Sequence, residues 1–78
     1  MLMKETVEMI VKSLVDDVEA VDVREVEGGT TVKIEVRVAE SDMGKLIGRQ
    51  GRTVRALRSL LHAASMKANR RFILEIIE

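Results

Sequence analysis

The sequence predicts an α+β fold with the order α-β-β-α-α-β. Three observations carry that prediction: a helical apolar stripe near the N-terminus, a strictly alternating strand entered through Gly28-Gly29, and a basic, glycine-interrupted helical stretch leading into an apolar final run. The 78 residues suffice for one domain, close to the smallest size that a single core stabilises. With no repeat, low-complexity stretch or linker, residues 1–78 read as one unit.

Val7, Ile10, Val11 and Leu14 fall at i, i+3, i+4 and i+7, with Lys4, Glu8, Lys12 and Asp16 mostly off that stripe. The spacing predicts an amphipathic helix over residues 3 to 16, with a weak favourable contact between Glu8 and Lys12. Val21, Val23 and Val26 predict a strand whose alternation slips by one, as a bulge would cause. Gly28-Gly29 then predicts a hairpin, because a two-residue primed turn needs positive φ that glycine adopts without strain. Val32, Ile34, Val36 and Val38 alternate with Lys33, Glu35 and Arg37, which gives an antiparallel partner strand with one buried and one charged face.

A short helix is expected over 42–47, where Ser41 or Asp42 can satisfy the backbone donors at its start. Gly48 and Gly51 interrupt it. A longer helix over 52–68 places Val54, Leu57, Leu61, Ala64 and Ala68 on one side and Arg52, Arg55, Ser59 and His62 on another, with Asn69 as a left-handed cap. Residues 72–77 are apolar except for Glu75, which suits a strand buried on both faces or one facing a partner. Joined to the preceding strand through helices, it should run parallel to it with a right-handed crossover, making a three-stranded mixed sheet.

Composition narrows the function. Apolar residues make up 46% and charged residues 33%, a balance that folds, and with Phe72 as the single aromatic the core must be aliphatic. Ligand binding here is not expected to rely on stacking bases against Phe, Tyr or Trp, which excludes one style of RNA recognition. The absence of Cys rules out disulfides and thiolate metal sites and suits a reducing cytoplasm. No apolar run approaches the roughly 20 residues of a membrane span, and Met1-Leu2-Met3-Lys4-Glu5 lacks the apolar stretch of an export signal.

Net charge is zero but unevenly placed. Residues 1–41 hold five basic and ten acidic side chains, whereas residues 42–71 hold eight basic side chains against Asp42 alone. A neutral chain can thus present a positive face to a polyanion. Within that basic half, Gly44-Lys45-Leu46-Ile47-Gly48-Arg49-Gln50-Gly51-Arg52-Thr53-Val54 carries the functional signal. Two glycines bracketing a basic and a polar residue between helices leave little bulk over the backbone. A phosphodiester can therefore approach main-chain N–H groups at the start of the next helix, with Arg49 and Arg52 as cationic partners.

Ile47-Gly48-Arg49-Gln50-Gly51, followed by Val54, resembles the Ile-Gly-x-x-Gly signature of KH domains, and the element order resembles the type II KH arrangement over essentially the full length. Within that class the chain is most similar to the small stand-alone bacterial KH proteins of the KhpA group. The resemblance implies a type II KH fold with its helices packed on one face of the sheet, and a narrow aliphatic groove for about four nucleotides of single-stranded RNA. Carried over position by position, it implies that Gly48 and Gly51 permit close backbone approach and that Arg49 and Gln50 point along the phosphate path. Lys45 and Arg52 would flank that path, Ile47 and Val54 would line the groove, and Arg55 would extend the positive rim. The implied role is non-catalytic RNA binding, as an RNA chaperone or post-transcriptional regulator. Such proteins are described as self-associating and as pairing with a larger RNA-binding partner, KhpB, so a homodimer and a KhpB-like heteromer are implied too.

Rival readings are weaker. A nucleotide-hydrolase phosphate loop fails because its first glycine would fall at Leu46 and its lysine is Arg52. Gly44 and Gly48 imitate a membrane-helix contact pair without an apolar 20-mer around them. His62 stands alone on a charged helix face, and with no histidine partner and no carboxylate cluster neither a nucleophile-base pair nor a closed metal site can be assembled, so no cofactor is expected. A DNA-binding helix-turn-helix belongs in an all-helical setting. The remaining alternative is a KH-fold dimerisation or scaffold module with little RNA affinity, which would not need Arg49, Arg52 and Arg55 beside an open glycine turn.

Overall fold

A computed structural model describes residues 3–78; Met1 and Leu2, which open the stretch read above for an export signal, lie outside the described residues. The elements are α1 (Met3–Leu14), β1 (Asp22–Gly28), β2 (Thr31–Arg37), α2 (Met43–Ile47), α3 (Arg52–Ala68) and β3 (Arg71–Ile76), with short 3-10 turns at Val18–Ala20, Glu40–Asp42 and Arg49–Gly51. The strands lie in the order β1-β2-β3, the first pair antiparallel and the second parallel. The chain is therefore α+β with the expected mixed sheet.

The two-residue period of the strands decides what each face holds. Val23 stands opposite Val36, and Val32, Ile34 and Val36 stand opposite Phe72, Leu74 and Ile76, so these share one face. Val7 and Val11 of α1, Leu46 of α2 and Val54, Leu57 and Leu61 of α3 join them in an aliphatic core that places the helices on that face. Ile34, Leu46, Val11 and Val36 have no exposed surface, and burying each contributes about 2 kcal/mol. The opposite face stays open and charged, with Arg24 bonded to Asp22 (3.0 Å) and Lys33 to Glu75 (3.4 Å).

Several expectations need correction. β1 has no bulge: pairing runs unbroken from Asp22 opposite Arg37 to Gly28 opposite Thr31. The slip in alternation arises because Val26 faces solvent on the open side, opposite Lys33, and is about half exposed. Gly28 is the last strand residue, and the two-residue turn is Gly29-Thr30, of which only Gly29 has positive φ (66°). The last strand is not buried on both faces. β3 is an edge strand on which only Leu74 is buried, because α3 covers one side of it and, among the described residues, no strand pairs beyond it.

α1 ends at Leu14, two residues earlier than the spacing predicts, and the buried stripe is Val7, Val11 and Val15 rather than one ending in Leu14. The cause lies 25 residues away. Asp42, expected to cap α2, makes no such cap; its buried carboxylate instead accepts the N–H groups of Asp16 (3.3 Å) and Asp17 (3.0 Å). Those amides leave the helix to reach it. The hydrogen bond from Asp17 holds the Asp42 carboxyl below its ordinary value, helped by Asp16 and Lys45 against the opposing effect of burial.

A carboxylate depressed in the folded state contributes stability above its unfolded pKa and loses that contribution as pH falls through the folded value. Asp42→Asn should therefore lower the melting temperature at neutral pH, and the gap from wild type should narrow below pH 3.8. Thermal unfolding followed by circular dichroism measures both; an equal gap at neutral and acid pH would show that the charge on Asp42 is not what ties the two segments.

Candidate nucleic-acid interface

The turn between α2 and α3 is built by backbone geometry that its sequence permits. Gly48 closes α2 by donating its N–H to the Gly44 carbonyl (2.8 Å) at φ 80°, ψ 166°, a conformation essentially reserved for glycine. A β-carbon there would stand 2.7 Å from the Thr53 amide nitrogen and closer still to the Thr53 hydroxyl. Gln50 (φ 57°, ψ 26°) and Gly51 (φ 74°, ψ 15°) are both left-handed, and the Gly51 N–H returns to the Gly48 carbonyl (3.1 Å). No side chain caps α3, so its first turn keeps free donors and the positive end of its dipole. Among the described residues the Arg49 and Gln50 amides donate to no backbone carbonyl, and both side chains are exposed.

Beside the turn lies an open depression of about 280 Å³, lined by Met43 and Ile47 of α2, Val54 and Arg58 of α3, and Ile76 and Glu78 at the end of the chain. Its outer wall is the free edge of β3. The N–H groups of Arg71 and Ile77 point inward to the Thr30 and Val36 carbonyls (both 2.9 Å), so alternation turns those of Leu74 and Ile76 toward the unpaired edge.

The cations divide sharply. Lys12, Arg24, Lys33, Lys45 and Arg70 are each ion-paired, whereas among the described residues Lys4, Arg37, Lys67 and the arginines Arg49, Arg52, Arg55, Arg58 and Arg71 are not. No acid occurs between Asp42 and Glu75, so the segment from the start of α2 to Leu74 has no internal counter-charge.

The predicted site residues are mostly brought together. Gly48, Arg49, Gln50, Gly51 and Arg52 form the turn, Ile47 and Val54 line the depression, and Arg55 is exposed on α3 outside it. Lys45 differs: its ammonium bonds the Asp16 carboxylate and lies 3.8 Å from that of Asp42, and the Asp16 bond raises its pKa above the ordinary lysine value. Sequence reading missed Met43, Arg58 and Ile76. Arg58 was discoverable, since it follows Val54 by one helical turn on the same side; Ile76 reaches the groove only through the register of β3.

A glycine-clamped turn between two helices, at the open edge of a three-stranded mixed sheet carrying its helices on one face, is a KH fold. The sequence profile of the family described as KhpA/KhpB, KH domain, matches residues 4–76. The chain belongs to that family. It is 49% identical over 75 residues to RNA-binding protein KhpA of Caldanaerobacter subterraneus subsp. tengcongensis, which covers 96% of this chain and 100% of the relative. It is 50% identical over 74 residues to the protein of that name from Borreliella burgdorferi (95% and 90% covered) and 49% over 76 residues to that from Aquifex aeolicus (97% and 96%). No solved structure matches the chain.

The two bracketing glycines should differ in their tolerance of a methyl group. Gly48→Ala should cost about 3 kcal/mol, since it combines a glycine-only conformation with collision against the following helix. Gly51→Ala should cost only about 1 to 2 kcal/mol, because its surroundings leave room for the methyl group and only the left-handed backbone opposes it. Urea denaturation of both variants tests this; equal losses would mean that the Gly48–Thr53 contact does not govern the turn.

Proposed function

We propose that this chain binds single-stranded RNA non-catalytically at the turn and its adjoining groove, as an RNA chaperone or post-transcriptional regulator in the cytoplasm. The observation that carries the reading is the set of unpaired guanidinium groups around two exposed, undonated amides on a bare turn. The relatives' name, RNA-binding protein KhpA, supports it.

In this reading a phosphate sits against the Arg49 and Gln50 amides and the start of α3, where Arg49 and Arg52 neutralise it. Bases turn inward over Ile47 and Val54, and their polar edges meet the backbone groups of Leu74 and Ile76. The phosphate contacts position the strand without reading it; selectivity belongs to the groove. Lys45 contributes positive potential from behind its ion pair.

The alternative, a KH-fold scaffold with little RNA affinity, draws support from a different surface. Between α1 and α3 lies an apolar furrow of about 290 Å³ lined by Met3, Val7, Ile10, Leu57, Leu60 and Ala64, among others, and Leu60 is 59% exposed. Self-association or pairing with a larger KhpB-like protein would use a surface of this kind. It lies on other residues than the turn, so both activities are compatible in one chain. Among the described residues no helix is long and apolar enough to cross a membrane.

The double variant Arg49→Asp, Gln50→Asp should weaken RNA binding by more than roughly tenfold, equivalent to 1.4 kcal/mol, while leaving the circular dichroism spectrum unchanged. Aspartate tolerates the left-handed conformation at position 50, so the fold should persist. Unchanged affinity at moderate salt would remove the turn from the binding site. Wild-type affinity should also fall steeply with added salt, by a log-log slope of about 0.7 for each phosphate neutralised.

A further inference from the structure

Along the same edge strand, beyond the groove, lies a second and larger depression of about 500 Å³. It is lined by Arg58, Leu61, His62 and Ser65 of α3 and by Arg71, Phe72, Ile73 and Leu74 of β3. Arg58 also lines the depression beside the turn, so the two adjoin. The chain has one aromatic residue and one histidine, and both open onto this cavity. No acidic side chain lines it, and neither of its arginines is ion-paired among the described residues. The ring of Phe72 is set in place from its backbone: its N–H donates to the Ser65 hydroxyl (2.9 Å), which itself donates to the Leu61 carbonyl (2.8 Å).

We infer that this cavity is a second nucleotide subsite, which takes a base of the same RNA strand against Phe72 and His62 and its phosphate against Arg58 and Arg71. The inference rests on the proposed RNA binding at the turn and extends it past the groove. An aromatic side chain, here partly buried against the core, beside unpaired guanidinium groups is the combination that holds single-stranded nucleic acid without regard to sequence. The reach is sufficient: Arg58 and His62 are four helical residues, about 6 Å, apart, which carries a strand about one or two nucleotides beyond the groove. The subsite gives the only aromatic ring of the chain a role besides core packing.

The test compares oligoadenylates of four and eight nucleotides in NMR titrations of the intact protein. Wild type should bind the octamer about tenfold more tightly than the tetramer, beyond the gain from extra binding registers. The Phe72 ring resonances should shift with the octamer but not with the tetramer. In His62→Ala, Arg71→Gln, both exposed positions, tetramer affinity should stay at the wild-type value, the octamer advantage should vanish and the salt slope for the octamer should fall by about 0.7. An octamer advantage that survives in the double variant, or that wild type never shows, overturns the subsite. Tetramer binding that is present in wild type and lost in Arg49→Asp, Gln50→Asp would in that case leave the turn's function standing. If wild type binds neither oligomer, the RNA reading and this extension fall together.

Discussion

The close approach between Gly48 and Thr53, which leaves no room for a β-carbon, fixes the geometry of the turn on which the adjoining depression depends. α2 is only five residues long and cannot hold its own orientation, so its position relative to α3 is set where the chain passes between them. With no side chain at Gly48, the amide and hydroxyl of Thr53 come down against the bend. Ile47 and Val54 are thereby presented to one depression from two helices. The exposure of the Arg49 and Gln50 amides follows from the same bend, because a chain turning this tightly has no carbonyl within reach to occupy them.

Electrostatics then separates two halves of a chain whose charges sum to zero. Some of the N-terminal acids find cations, Glu8 and Asp22 locally and Glu27 at a distance in sequence with Arg70 at 3.1 Å. Asp42 spends its buried charge on the α1–β1 connection and, with Asp16, draws Lys45 toward that side. What remains is a run of guanidinium groups on α3 and at the start of β3 that, among the described residues, make no ion pair, with Glu78 as the acid that shares a depression with Arg58. Surface ion pairs of the kind found elsewhere in this protein are weak, so their distribution says little about stability. It says more about which surface is left with an unneutralised field for a polyanion.

The elements governed by local spacing were legible in the sequence. The hairpin, the mixed sheet, the span of α3 and its left-handed end at Asn69 follow from apolar period and cap chemistry, and the glycine turn from its bracketing residues. What escaped was set by contacts distant in sequence. Asp42 has the composition of a cap, and nothing near it reveals that two amides 25 and 26 residues earlier will claim its oxygens. Val26 counts as core by composition, yet the register sets it facing solvent. The near-continuous apolar run of β3 has the pattern of a central strand, but the sheet ends there, and the surplus apolar surface lines depressions. Of the groove, Ile47 and Val54 came from the motif, while Met43 and Ile76 depended on where separate elements meet.

The place of β3 has a consequence for when the interface comes into being. β1 and β2 are joined by a two-residue turn and pair from neighbouring residues, whereas β3 must find β2 across some forty residues of chain, the kind of pairing whose closure entropy makes it slow. Until β3 has paired with β2, a chain can already possess the glycine turn and α3, yet it lacks the outer wall of the depression beside that turn. The depression beside the turn is thereby completed last, and a chain in which β3 has not yet paired carries the motif without it.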